Sequence, residues 1–432
     1  MREKLHLGVA REIITPEIGG NLYGYRPDIY STCVNDDLTA TAFAFSQGDT
    51  CAMLITLTVA SISTPLAKEM SEAISLATGI KKENLILCAT HTHSGPNLTG
   101  EFGWGGIDME YCDSIFLPRV VKAAKMAAET MIPVKVACSQ GQSTVGINRR
   151  ELGRDNTICL GQNPWGPVDT RMTVISFRNE NGENVANLIH YGCHGTASGA
   201  NTEITRDWSG VMTDVVERDF GGTTAFINGP EGDVGPRLPN GKTVGEKSVQ
   251  FALELGGYAA RDAMTVANMP KSYREENLSV YHGEVKIPLA PKIPLEFAKS
   301  EYEKEKNQKV NIEGLYAEFC RKTIEAYEKG LPDEACRAYS QTIIRIGDVA
   351  IVSFPFETFC EIGMRIDKYC ADIPYVLSLS NANGSEGYFA TESERCRGGY
   401  EIKMCDVGHI QPYAANADYA LVCETLENLK NV

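Results

Sequence analysis

The chain has 432 residues, with 41 Lys+Arg against 56 Asp+Glu and a net charge of −15. At roughly 150 residues per domain, this length suits about three domains or one large enzyme fold. Hydrophobic residues at 43% and charged residues at 22% exclude a disordered chain, and the acidic balance excludes the basic footprint of a nucleic-acid or anionic-membrane binder.

The opening MREKLHLGVAREII holds no apolar run of signal-peptide length, and the longest apolar stretch, Cys51 to Ile62, is studded with threonine and too short to span a bilayer. The 14 cysteines stand singly, with no CxxC pair, as reduced thiols do in a cytosol. The expectation is a cytoplasmic protein without stable membrane insertion or a nucleic-acid partner; homo-oligomerisation stays open.

In chain order, TATAFAFS (39–46) and CAMLITLTVAS (51–61) read as a hairpin across a QGDT turn. Apolar residues at helical spacing follow from Pro65 to Thr78, then a buried strand NLILCA (84–89) and a long helix from Tyr111 to Met131. Strands are predicted at 134–138, 171–177 and 185–191, a helix after Asp207, and a strand at 224–227. LEFAKSEYEKEKNQKV and GLYAEFCRKTIEAYEKG, within 291–331, read as an inserted hairpin of two charged helices, and strand character resumes at 342–355. No fixed-period repeat is visible. The pattern predicts a single α/β domain over 1–432, with a mixed β-sheet core flanked by helices.

Of the 7 histidines, four lie in two tight clusters, His91-Thr92-His93 and His190 to His194. NLILCA runs straight into THTHSGP, so His91 and His93 stand at a strand's end, and residues two apart on a strand share a face. Neutral imidazoles with a carboxylate suit zinc, whose bound water ionises near neutral pH. Three carboxylates are candidates: Asp207, which also suits helix capping; Asp233, which also suits an Asx turn; and Glu357, which emerges after an apolar strand. These patterns alone do not choose among the three. No GxSxG elbow, phosphate-binding loop or dinucleotide fingerprint occurs.

The segments GVAREIITPEIGGNLYGY, THTHSGP, INRR, HYGCHGT, ITRDWSG, NGPEGDVGPR, FPFET and GYFATESERCRGGYE, in this order, resemble the catalytic N-terminal domain of the neutral/alkaline non-lysosomal ceramidase family. The resemblance implies one zinc ion on His91, His194, Glu357 and Tyr388. It further implies His93, Arg149 and Tyr400 as active-site groups, Tyr400 standing twelve residues beyond Tyr388. In those roles His93 would be the general acid/base, and Arg149 and Tyr400 would donate to a developing oxyanion. Two departures stand out. Gly235 occupies the place of a family serine, and little chain follows the tyrosine segment, so no immunoglobulin-like C-terminal domain is expected. The expected activity is zinc-dependent hydrolysis of a linear amide in a small N-acyl substrate, more soluble than ceramide. An esterase or lactonase, a silent binding relative and an amidohydrolase barrel are the rivals.

Overall fold

The computed structural model describes residues 3–101, 103–307 and 312–432. One sequence of elements runs through the chain three times. In the first unit, β1 (His6–Ile13), β2 (Thr39–Gln47) and β3 (Thr50–Leu57) lead to α1 (Thr64–Thr78), β4 (Leu85–Ala89) and α2 (Leu117–Glu129). In the second, β5 (Lys135–Gln142), β6 (Arg171–Arg178) and β7 (Asn184–Tyr191) precede α3 (Asp207–Phe220), β8 (Thr223–Asn228) and α4 (Gln250–Ala267). The third opens with β9 (Leu278–Pro288), and the two inserted helices follow as α5 (Leu295–Glu305) and α6 (Ile312–Glu328). It continues with β10 (Cys336–Ile346), β11 (Val349–Ser353), α7 (Cys360–Tyr369), β12 (Tyr375–Leu379) and α8 (Ala417–Leu429).

Each unit builds one mixed sheet. Its first three strands are antiparallel and its fourth pairs parallel with the third, from Met53↔Leu85, Ala186↔Thr223 and Val349↔Tyr375. The expected mixed α/β core is therefore present, divided among three sheets, and its strands are open rather than closed into a parallel barrel. The repeat was invisible in the sequence because the units share topology and not residue pattern. The 342–355 stretch contains a turn at Gly347, so it is the end of one strand and the whole of the next. The predicted 111–131 helix runs through a wider turn at Cys112–Phe116 before α2. The end of the first predicted inserted helix, Gln308 to Val310, lies outside the described residues.

Alternating side chains explain the apolar runs. In β3, Met53, Ile55 and Leu57 pack outward with Leu66, Met70 and Ile74 of α1 and Val120 of α2. Ala52 and Leu54 point the other way, into a central cluster with Phe43, Ile175, Phe177, Ile344 and Ile351 from all three sheets. A strand buried on both faces must be apolar throughout, unlike a one-sided strand. Each such Leu, Ile or Phe contributes about 1.5–3 kcal/mol relative to exposure. Helix α1 is delimited locally: Ser63 Oγ accepts the Leu66 N–H at 3.3 Å, Pro65 sits in the first turn, and Gly79 closes it in the left-handed region. Among the described residues, no helix is long and apolar enough to cross a membrane.

The fourth strands of the three units meet at their C-terminal ends. The Ala89 N–H donates to the Asn381 carbonyl at 3.1 Å, and the Ser380 N–H to the Asn228 carbonyl at 3.1 Å. Asn228 Nδ2 closes the ring on the Thr90 carbonyl at 3.3 Å. The loop leaving β4 at this ring carries His91 and His93.

Candidate metal centre

His91 follows β4 but is not extended: its φ of 66° is left-handed, so the shared-face argument from a continuing strand does not describe it. The two imidazoles converge all the same, with Nε2 atoms 3.2 Å apart and ring planes at 82°. His91 Nδ1 lies 2.7 Å from the Ala60 carbonyl, which fixes Nε2 as the free, inward nitrogen. His93 Nδ1 likewise lies 3.2 Å from the Gly24 carbonyl. Only glycine fits at 24, because a Cβ there would stand 2.2 Å from His93 Nδ1 and φ is +115°.

His194 comes from the loop after β7. Its Nδ1 contacts the carbonyls of Glu231 at 2.9 Å and Val234 at 3.1 Å, again leaving Nε2 inward. Glu357 enters from the third unit in a short parallel pairing with Tyr388, and its Oε2 lies 3.1 Å from His194 Nε2 and 3.4 Å from His91 Nε2. Tyr388 Oη stands 3.4 Å from His194 Nε2 and accepts from Arg149 Nη2 at 2.9 Å. Tyr400 packs its ring 5.8 Å from that of Tyr388 at 73°. All seven residues that the family resemblance implies thus lie in one cluster, drawn from all three units.

The other two carboxylate candidates serve elsewhere. Asp207 accepts the backbone N–H groups of Ala197, Ser198 and Trp208, holding the loop after β7 against the start of α3. Asp233 accepts from Asn148 Nδ2 and the Cys360 N–H. Geometry selects Glu357.

Electrostatics bind the cluster together. Burial opposes ionisation of Glu357, but the charge of His91 and the hydrogen bonds of both histidines outweigh it and hold the carboxyl well below its usual range. Burial would also lower His91, yet Glu357 raises it to about 9. His194 is pushed down to about 3 by burial, then by the Arg149 and His91 charges. Burial, followed by the charges of His91 and His194, drives His93 well below its ordinary value. One proton on His91 balances one carboxylate, the arrangement that a divalent cation replaces when imidazoles and a carboxylate become its ligands. His91, His93 and His194 form one group able to hold a metal ion, and His91, Glu231 and Glu357 another. The donor set, imidazole nitrogens with carboxylate and phenol oxygens, fits zinc.

Sequence reasoning missed three acids. Glu231, fully buried, receives Asn381 Nδ2 at 2.7 Å on one oxygen, while its other oxygen has no partner. Burial raises it to about 8. Its only sequence signal is an acid inside the NGPEGDVGPR turn. Glu401, 1% exposed, joins Arg149 Nε at 2.8 Å and Arg150 Nη1 at 2.6 Å, so it aims Arg149 at Tyr388. Glu101 accepts from Tyr23 Oη at 2.5 Å and lines a cavity of about 650 Å³ beside the centre. Gly235 is a close approach: a Cβ there would lie 2.6 Å from Thr243 Cβ, so threonine fills the space that a serine would need.

Three sheets whose strand ends surround a histidine–carboxylate–phenol cluster define an α/β protein with a candidate metal site. Residues 5–339 match the model of the neutral/alkaline non-lysosomal ceramidase N-terminal domain, and the chain belongs to that family. It is 28% identical over 176 residues to neutral ceramidase A of Dictyostelium discoideum, a match spanning 36% of this chain and 24% of that protein. The crystal structure of neutral ceramidase from Pseudomonas aeruginosa shares the fold, with a TM-score of 0.76 at 17% identity over 99% of this chain and 74% of that one. A ceramidase complexed with C2 gives 0.74 at 16% identity, over 99% and 76%.

Proposed function

We propose that the protein is a zinc-dependent hydrolase that cleaves a linear amide in an N-acyl substrate smaller or more soluble than ceramide. The observation that carries this reading is the convergence of His91, His194, Glu357 and Tyr388, with His93 and Arg149 against them. Held by those four residues, zinc would supply Lewis-acid polarisation of a carbonyl and an acidified water. His93 donates from Nδ1 to Gly24, so Nε2 is its free nitrogen, and its depressed basicity lets it pass a proton on to a leaving amine. Burial raises the Tyr400 phenol above its ordinary value, so it stays protonated and serves as a donor to developing negative charge. Arg149, locked by Glu401, supplies a second, permanently charged donor. Glu101 and Glu386 in the otherwise largely apolar wall of the adjoining cavity support a polar group on the substrate.

A single catalytic domain over 1–432 and a cytoplasmic location belong to the same proposal. The 14 cysteines, all free of disulfides, support that compartment. Metal analysis of purified protein, with matched amide and ester substrates, tests the reading. About one equivalent of zinc, lost in His91→Ala, with amide cleavage exceeding ester cleavage, is expected. Zinc content well below half an equivalent and unchanged by the substitution refutes it, and cleavage of the ester alone reassigns the enzyme as an esterase.

A further inference from the structure

The cavity beside the centre is walled by the start of α1, residues 99–101, 104 and 107, residues 385–387, 404 and 407–408, and helix α6, and its volume of about 650 Å³ falls in the range of small-molecule sites. Its wall connects to the cluster through Gly387, which precedes Tyr388 in the chain. The charge of His91 is felt at Glu101, and that of Glu101 at Tyr400.

Two carboxylates face this space. Glu101 is held by hydroxyl groups, Tyr23 Oη at 2.5 Å and Ser385 Oγ at 3.2 Å, and Glu386 by Thr64 Oγ1 at 2.6 Å. Among the described residues, neither forms an ion pair. Two hydroxyl donors favour the ionised form of Glu101, while burial opposes it and raises its pKa. A part-buried carboxylate whose hydrogen-bond partners are all neutral is the kind of group that a ligand cation stabilises. Trp104 shares the wall, with Tyr23 packed against it at 5.8 Å, and an aromatic face beside a carboxylate is the usual setting for an ammonium group. The indole Nε1 of Trp104 is buried with no protein acceptor, an unmet donor that a ligand oxygen would satisfy. Ile107, Leu315, Met404 and Val407 supply apolar surface for methylenes. Lys322 of α6 is the cation of the described lining, one positive charge against two negative.

We propose that this cavity seats a second, protonated amine on the substrate, so that the preferred compound is a mono-acylated diamine; the proposal rests on the amidase reading above. The α5–α6 insertion, read from sequence as a hairpin of two charged helices, then becomes one wall of the substrate site through Leu315 and Lys322.

The test uses the zinc-loaded enzyme and four probes with the same acyl group on butylamine, 4-aminobutanol, 1,4-diaminobutane and 4-aminobutyrate. A charge-assisted contact of about 1.5–3 kcal/mol corresponds to a roughly ten- to hundredfold preference in kcat/KM for the diamine over the butylamide. In Glu101→Gln that ratio should fall towards one, and in Glu386→Gln it should fall partway, with unfolding midpoints recorded to show that both variants fold. A diamine no better than the butylamide, a ratio unchanged in folded Glu101→Gln, or a preference for the aminobutyrate probe overturns the proposal. Failure to hydrolyse any of the four, with zinc bound, overturns the amidase reading instead.

Discussion

Replacing Glu231 with glutamine tests the charge state at the junction of the three units. Asn381 meets one carboxyl oxygen at 2.7 Å and nothing meets the other, so ionisation in this fully buried place is costly. The carboxyl rises from an ordinary 4.5 to about 8, burial being the first cause. At ~1.4 kcal/mol per pH unit, the ionised folded form carries a penalty bounded at ~5 kcal/mol. Between those two values the folded protein keeps a proton that the unfolded chain has lost, so this group's contribution to stability falls as pH rises from 4.5 to about 8. Glutamine cannot ionise and removes that slope. Urea unfolding of chelator-treated protein should therefore give similar midpoints for wild type and Glu231→Gln near pH 5. Near pH 8.5 the variant should be the more stable, by several kcal/mol at most. Asp233, also raised by burial, to about 6, is present in both proteins and cancels in the difference. Parallel pH dependence in the two proteins would refute the reasoning, because it would mean that Glu231 is ionised in the fold at no cost.

Glu357→Ala should lose zinc and activity together, read by metal analysis and amide hydrolysis. Tyr400→Phe should keep its zinc and lose about 10²–10³ in kcat, the usual effect of removing one oxyanion donor; loss of zinc from that variant would show Tyr400 to be a ligand. Gly235→Ser places a Cβ 2.6 Å from Thr243 Cβ. It should cost about 1–3 kcal/mol by overpacking, and Thr243→Gly in the same chain, which removes that Cβ, should recover part of it. A single variant as stable as wild type would disprove the steric account.

How far the sequence reveals the molecule differs by residue. His91 and His93 were legible because a strand ran visibly into them, although His91 reaches the centre through a left-handed backbone that spacing alone does not show. The choice among Asp207, Asp233 and Glu357 was closed to spacing arguments because two of the three are placed by partners far along the chain. Cys360 fixes Asp233 and His194 meets Glu357, whereas Asp207 is held locally, by the N–H of Trp208. Glu401 was illegible for the same reason, lying some 250 residues from the arginines it joins. The strands buried on both faces were easy to find and hard to group. A run such as CAMLITL announces burial but not which sheet it enters, so three sheets read as one core.

The ring formed by Ala89, Thr90, Asn228, Ser380 and Asn381 gives the proposed zinc a thermodynamic part beyond chemistry. His91 belongs to the first unit, His194 to the second, Glu357 and Tyr388 to the third. No unit alone holds more than two of these donors, and affinity exists only where all three have docked. Binding is then linked to assembly: every tenfold excess of zinc over its dissociation constant weighs ~1.4 kcal/mol in favour of the closed ring. A chelator would first loosen the joints between units, ahead of the sheets inside them. Amide exchange at residues 89–90, 228 and 380–381 would register metal removal before the strand centres do.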